Sequence, residues 1–550
     1  MKKTIILLSL LGLVLACNPP PAQGEDPTPG YNTPIPPEIM TPDVVETKYL
    51  GTLEFSDGRP SKETADKIYD HLAYLRGVEV FLNLMPAASI EAMRLGHVEN
   101  GVTASNHVGI TEDLMDSNPL FLTGNTDTVY ASAILDLERD GPTVVEVPAG
   151  SGPGTVNDAF FRFVIDMGAP GPDRGQGGKY LILPPDYDGP AIDIPADGST
   201  VSVTAGGVTD DYFVVTSPSY TNWLILRGFL VDGLPDAAVQ MFKEGLKIYP
   251  LSSASSPPAM EFSNMSGLMM NTIHANNEKF YDEIDHVLQK EPVGFIDPEL
   301  RGLAAAIGIQ KGKPFAPDAR MQEILKEAAA VGNATARSIT LDVRYPEAFL
   351  YEDSAWKLGF IGGDYRWLRD GGAGGRFLDA RTLFFYFATV NTPAMAAKIV
   401  GAGSQYAWTE RDANGKFLDG DKNYTLNIPA NAPVKDFWSV VVYDPQTRSQ
   451  LQTGQPFPSR NDQKHDMIEN EDGSVTLYFG PKAPAGKEEN WIQTVPEKGW
   501  FTILRLYGPL DPWFDKTWQP GEIEMVDLTD LGQSYSHWGC RNRANHAPAT

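Results

Sequence analysis

Apolar residues recur along this chain at two periods, and the switches between them divide it. From about Lys62 to Leu95 the spacing is helical, with Ala65, Ile68, Tyr69, Leu72 and Leu75 on one face. Pro86 lies inside that stretch, lacks a backbone donor, and predicts a break into two pieces. From about Val102 to Gly233 the period falls to two. Runs such as "TVYASAILDL", "PTVVEVP", "AFFRFVIDMG", "KYLILPP" and "NWLILRGFLV" alternate, and turns such as "PGPDRGQGG" and "PDYDGP" separate them. Many short strands with Gly- and Pro-rich turns predict a sandwich.

Helical spacing returns from about Pro235 to Thr340. Val239, Phe242 and Leu246 share one face, and Phe280, Ile284, Val287 and Leu288 another. Asp297-Pro298 reads as an N-cap and first helical residue, with Gly308 as stop. Met321, Ile324, Leu325 and Ala328 carry a further helix up to Gly332. From about Arg381 to Asp527 alternation resumes in "NYTLNIPA", "FWSVVVYD", "SVTLYFGP", "NWIQTVP" and "WFTILRLYG". A length of 550 residues exceeds a single core, so several domains are expected. The boundaries read as a helical segment over 46–98, a β-sandwich over 99–234, a helical domain over 235–345 and a second β-rich domain over 346–550.

The first 45 residues follow neither period. Lys2 and Lys3 precede an apolar run, Ile5 to Leu15, too short to span a membrane as a helix. It ends at Val14-Leu15-Ala16-Cys17, which resembles a bacterial lipobox, so residues 1–17 read as a lipoprotein signal with Cys17 as the lipidated residue. Residues 18–45 are Pro-rich and read as an extended tether. The other cysteine is Cys540, so lipidation at Cys17 would leave no intramolecular disulfide. A formal net charge of −27 offers no basic footprint for nucleic acid and reads as solubility.

Several phrases carry a resemblance. They are "GNTDTVYASAILDL", "GGKYLILPP" and "NWLILRGFL" in the first half, and "GIQKGKPFAPDARMQEILKEAA" in the middle. The second half adds "FWSVVVYDPQTRSQLQ", "NEDGSVTLYFGP" and "ENWIQTVPEKGWFTILRLYGPLDPWFDKTW". Together they resemble the bacterial family that pairs domain of unknown function 1254 with domain of unknown function 1214. The resemblance implies a multi-domain, mainly β fold with a helical part: an immunoglobulin-like β-sandwich, a helical domain and a C-terminal jelly-roll-like β-sandwich. It also implies a homotrimer, and it brings no catalytic residues.

Candidate chemistry is sparse. No HExxH, CxxC, GxSxG or Walker pattern occurs. "ERDANGKFLDGD" faintly resembles a calcium loop through Glu410, Asp412, Asn414 and Gly415, but its Asn-Gly reads more simply as a hairpin turn. Ser354 to Lys357 match SxxK without a companion motif, and Cys540 lies near His537 and His546. "GGAGGRFLDAR", with Arg376 and Arg381, reads as a surface loop or as a loop over a ligand.

Charges within strands are the stronger signal. Arg162 in "NDAFFRFVIDM", Arg227 in "NWLILRGF" and Arg505 in "WFTILRLYG" sit among apolar residues. In one continuous strand Arg162 would lie roughly 13 Å from Asp158 and from Asp166, too far to pair. Either the three arginines pair with carboxylates, Asp127, Asp158 and Asp166 being the candidates, or they face a ligand. Alternation groups Arg505 with Tyr507, and a hairpin after "PEKG" would bring Trp491 alongside. The candidate ligand-binding set is therefore Asp127, Asp158, Arg162, Asp166, Arg227, Trp491, Arg505 and Tyr507. The expectation is an exported envelope protein, lipid-anchored and facing the periplasm or cell surface. It would bind a small organic or carbohydrate ligand without cofactor or metal. The alternative is an envelope hydrolase with carboxylate-based catalysis.

Overall fold

The computed structural model describes residues 33–527. The signal, Cys17, His537, Cys540 and His546 lie outside the described residues. Two compact units result, one ending at His71 and the other beginning at Leu72. In the first, strands Val44–Thr47, Gly51–Ser56 and Arg59–Pro60 form a small antiparallel sheet. Asp57 and Gly58, both at positive φ, make its tight turn. The segment over 46–98 is thus not helical throughout.

Helix α1 spans Lys62–Glu99 as one helix, so Pro86 does not break it. A proline inside a helix costs about 3 kcal/mol. Leu84, Met85, Ala87 and Ala88 around it are fully buried, and each large apolar side chain contributes about 1.5–3 kcal/mol. Packing wins over the local penalty.

From Leu72 onward the strands form two pairs of sheets. Four strands of the first pair matter below: β1 (Thr128–Asp136), β2 (Pro153–Asp158), β3 (Phe163–Gly168) and β4 (Thr221–Phe229). They lie in the order β1-β4-β2-β3 within a six-stranded sheet. Its partner is a five-stranded sheet that includes Thr143–Val147, Gly178–Leu183 and Lys247–Pro250. Val129, Ala131 and Leu224 from one sheet join Val145, Ile182 and Ile248 from the other in one core. Lys247–Pro250 and Glu261–Asn264 complete these sheets, so this domain extends past residue 234 into the predicted helical domain.

Helix α2 (Ala319–Leu341) runs nine residues beyond its predicted stop at Gly332. There Gly332 permits close contact rather than termination: a Cβ would meet Phe81 Cγ at 2.7 Å. Helix α3 (Leu378–Phe387) occupies the predicted start of the second β region and is buried on almost every side. Strands β5 (Ser404–Thr409), β6 (Val434–Tyr443) and β7 (Phe501–Pro509) follow, in the order β5-β7-β6 within a five-stranded sheet. This sheet shares a core with a four-stranded one, through Val440, Leu504 and Leu506 on one side and Leu426, Leu477 and Ile492 on the other.

Alternation along β4 and β7 sends Trp223, Ile225, Phe501 and Ile503 away from those two cores. They join a third core with α1, α2, α3 and the helix Lys279–Lys290. That core draws residues from Val80 to Ile503. No helix among the described residues is long and apolar enough to cross a membrane.

Candidate functional site

The "GGAGGR" stretch is a tight reversal rather than a loose loop. Asp370, Gly371, Gly372 and Gly375 all take positive φ, and Leu368 bridges back to Arg376. The reversal sets Trp367 and Arg376 on the wall of a cavity of ≈ 540 Å³. Asn83 and Pro86 of α1, the turn between β2 and β3, the start of helix Pro298–Ala306, and Leu378, Arg381 and Phe385 of α3 complete the lining. Its size falls within the range of small-molecule pockets.

Four arginines and two carboxylates line this cavity: Arg162, Arg366, Arg376 and Arg381 against Asp297 and Glu299. Asp297 caps a helix by accepting from Leu300 N at 3.0 Å. Arg366 pairs with Asp364 at 3.1 Å. Arg381 is buried on α3 and donates from Nη2 to Asn83 Oδ1 at 2.6 Å, while its Nε finds no protein partner. Burial first, then the charge of Arg376, push Arg381 down to about 10. Trp367 Nε1, Asn391 Oδ1 and Arg162 Nη2 are likewise buried without a partner among the described residues. Four unpaired polar atoms thus belong to the walls of one cavity. Phe160, Phe161, Phe163, Tyr365 and Phe385 supply an aromatic part of the wall.

Arg162 corrects one expectation. "NDAFFRFVIDM" is not one strand but a hairpin, closed by a turn with Phe161 at φ 53°. The reversal brings Asp158 Oδ2 to 2.6 Å from Arg162 Nε. Asp158 Oδ1 accepts from the backbone N–H groups of Phe160 and Arg162 at 2.8 and 2.9 Å. Asp158 therefore builds the turn that presents Arg162, and burial against these bonds still raises its pKa.

Arg227 and Arg505 meet at a second, smaller void of ≈ 60 Å³ between the faces of β4 and β7. Register places Arg227 opposite Tyr130 and Arg505 opposite Tyr406. Among the described residues, neither arginine pairs with a carboxylate. Arg505 is 3% exposed and donates from Nη2 to Thr123 O at 2.6 Å; its Nη1 has no protein partner. Asp127 instead accepts from Ser439 Oγ at 2.6 Å and from Asn461 Nδ2 and Thr126 Oγ1 at 3.0 Å. Asp166 accepts from Thr392 Oγ1 at 2.7 Å, and burial pushes it up to about 6.

Trp491 and Tyr507 do not join these arginines in a pocket. The strand Trp491–Gln493 pairs with Val475–Gly480 in the four-stranded sheet, not with β7. Tyr507 stacks on Phe437 with ring centroids 4.1 Å apart. Ser354 donates to Glu522, whereas Lys357 pairs with buried Glu410 at 2.7 Å, so the two do not form a catalytic couple. Asp412 accepts from Asn414 N and Lys416 N at 2.9 Å and closes a turn. No cluster of three or more metal-ligating side chains occurs among the described residues. Asn83, Trp367 and Asn391 carry no signal in the sequence, whereas Arg376 and Arg381 stand in the Gly-rich stretch that reads as a surface loop or as a loop over a ligand, and both line the cavity.

Among solved structures, the chain is similar to the VPA0106 protein from Vibrio parahaemolyticus, at 19% identity and a TM-score of 0.49, over 84% of this chain and 100% of that one. It is also similar to an uncharacterized protein from Burkholderia cenocepacia, at 14% identity and a TM-score of 0.35, over 85% and 98% of the two chains. No curated protein matches. Residues 105–250 match the family "Protein of unknown function (DUF1254)" and residues 403–511 match "Protein of unknown function (DUF1214)". The chain thus carries matches to these two domains, in this N- to C-terminal order.

Proposed function

We propose that the chain is a binding protein for a small organic anion with an apolar body, held in the cavity beside α3. One observation carries this reading: the unpaired Arg162 Nη2, Arg381 Nε, Trp367 Nε1 and Asn391 Oδ1 all belong to the walls of that cavity. Three are donors, two of them on cations, which suits a carboxylate, sulfonate or phosphate ester. The aromatic walls suit the body of such a molecule. A neutral sugar would leave Arg376 and Arg381, which form no ion pair among the described residues, without a counter-charge.

The remaining expectations accompany this reading. The two sheet pairs are read as an immunoglobulin-like and a jelly-roll-like sandwich, and the chain as a trimer anchored in the envelope through lipidated Cys17. Cys17→Ser should then release the protein from membrane fractions.

The ligand reading is tested by thermal shift and calorimetric titration at fixed ionic strength. The panel sets small aromatic and aliphatic carboxylates, sulfonates and phosphate esters against their neutral amides and against sugars. Anions should bind and neutral isosteres should not. Arg381→Gln and Arg162→Gln should each weaken binding by about 10- to 100-fold, the worth of a buried charge-assisted hydrogen bond. Equal binding of neutral isosteres, or affinities untouched by both substitutions, would overturn the reading. Turnover of a bound compound would make the site that of an enzyme.

A further inference from the structure

We propose that the smaller void between β4 and β7 holds a monovalent anion of chloride size, shared by Arg227 and Arg505. The two guanidinium groups carry ten N–H donors between them, of which Arg227 Nε and Arg505 Nη1 are buried without a partner. Among the described residues, Arg505 donates to Thr123 O and interacts with the Tyr443 hydroxyl, whereas the Arg227 side chain makes no hydrogen bond and lies over the Tyr130 ring. Both residues are more than nine-tenths buried. Like charges so placed repel strongly at low dielectric, and each unpaired donor carries a desolvation cost.

The carboxylates nearby do not relieve them. Asp166 is engaged by Thr392, and Asp127 by Ser439, Asn461 and Thr126. The charge of Asp127 reaches Arg505 only from a distance, and no carboxylate lines the void, so the two guanidinium groups face it without a counter-charge of their own. A single small anion would supply one.

Size and surface narrow the class further. A void of ≈ 60 Å³ has room for an ion and a few waters, far below an organic ligand's needs. Phe360, Phe384, Phe387 and Trp408 make much of the wall. Such a surface favours weakly hydrated anions, so bromide should bind at least as well as chloride and fluoride poorly. This site and its occupant are independent of the organic-anion reading of the larger cavity.

The full chain is freed of halide and titrated with sodium bromide against sodium gluconate at constant ionic strength. Crystals grown in bromide are measured at its absorption edge. The expected results are an anomalous peak within hydrogen-bonding distance of both guanidinium groups and a melting temperature raised by about 2–4 °C near saturation. Arg227→Met should abolish the halide response, and it should leave the halide-free protein folded because that side chain donates no hydrogen bond to protein. A void that contains only water, or a bromide response that survives Arg227→Met, would overturn the proposal. Should Arg227→Met not fold, the anomalous map of the unaltered chain still decides. A peak beside Arg381 alone would likewise defeat it while leaving the larger cavity's anion preference intact.

Discussion

At the scale of the residue, Asp166 gives a measurable handle. Burial pushes it up to about 6, against about 3.9 in an unfolded chain. Between those values the folded protein binds more protons than the unfolded one. The contribution of Asp166 to stability is therefore complete below about pH 4 and is lost as pH rises through about 6. A difference of about two units corresponds to about 3 kcal/mol at most. Asp166→Asn keeps an acceptor for Thr392 and removes the charge, so its denaturation midpoint should rise relative to the parent at pH 7 and match it near pH 4. Chemical denaturation at the two values checks this; parallel profiles for parent and variant would show that Asp166 does not titrate in that window. The same scale shows what a single sequence can yield. Three arginines stood out because they interrupt apolar strands, and all three line cavities. Asp158, the partner of Arg162, was among the candidates; the neighbours of Arg227 and Arg505 did not stand out, because Thr123 O, Tyr130 and Tyr406 are ordinary residues whose role comes from distant pairing.

At the scale of the element, two misreadings share a cause. The sequence from Asn157 to Met167 alternates well enough to pass for one strand, and only the bonds at Asp158 disclose a turn. Asp158→Ala should remove the acceptor of two backbone N–H groups and of Arg162 Nε together. A loss of about 2–4 kcal/mol is expected in denaturation, chiefly from the two stranded N–H groups because Arg162 is partly exposed, along with loss of organic-anion binding. Gly332 looked like a stop because glycine weakens helices locally, whereas its place is set by Phe81 across the interface. Gly332→Ala gains about 1 kcal/mol of helix propensity and meets a clash costing about 1–3 kcal/mol. The net should be destabilising, and an urea midpoint at or above the parent's would show that Phe81 yields. Elements with strong internal patterns were legible, among them the Asp297 cap, which accepts from Leu300 N as its position implies. Those decided by packing, such as Pro86 inside α1, were not.

At the scale of the whole molecule, the family-like phrases located two domains, but the space between them was beyond reach. The larger cavity unites Asn83, Arg162, Arg381 and Asn391, which no local window contains. The third core ties both sheet pairs to the helices, so the unit from Leu72 onward should unfold as one cooperative body rather than as two matched domains. Calorimetry should give one transition for it, with van't Hoff and calorimetric enthalpies in agreement. Helix α3 sits at the centre of this arrangement. Arg381 and Phe385 line the larger cavity, while Phe384 and Phe387 on the same helix line the smaller void. One rigid helix with a face in each site is a lever for energetic linkage. If an organic anion shifts α3, it changes halide affinity by some factor, and halide must change organic-anion affinity by that same factor. Titrating either ligand in the presence of the other measures that factor twice, and the two values have to agree.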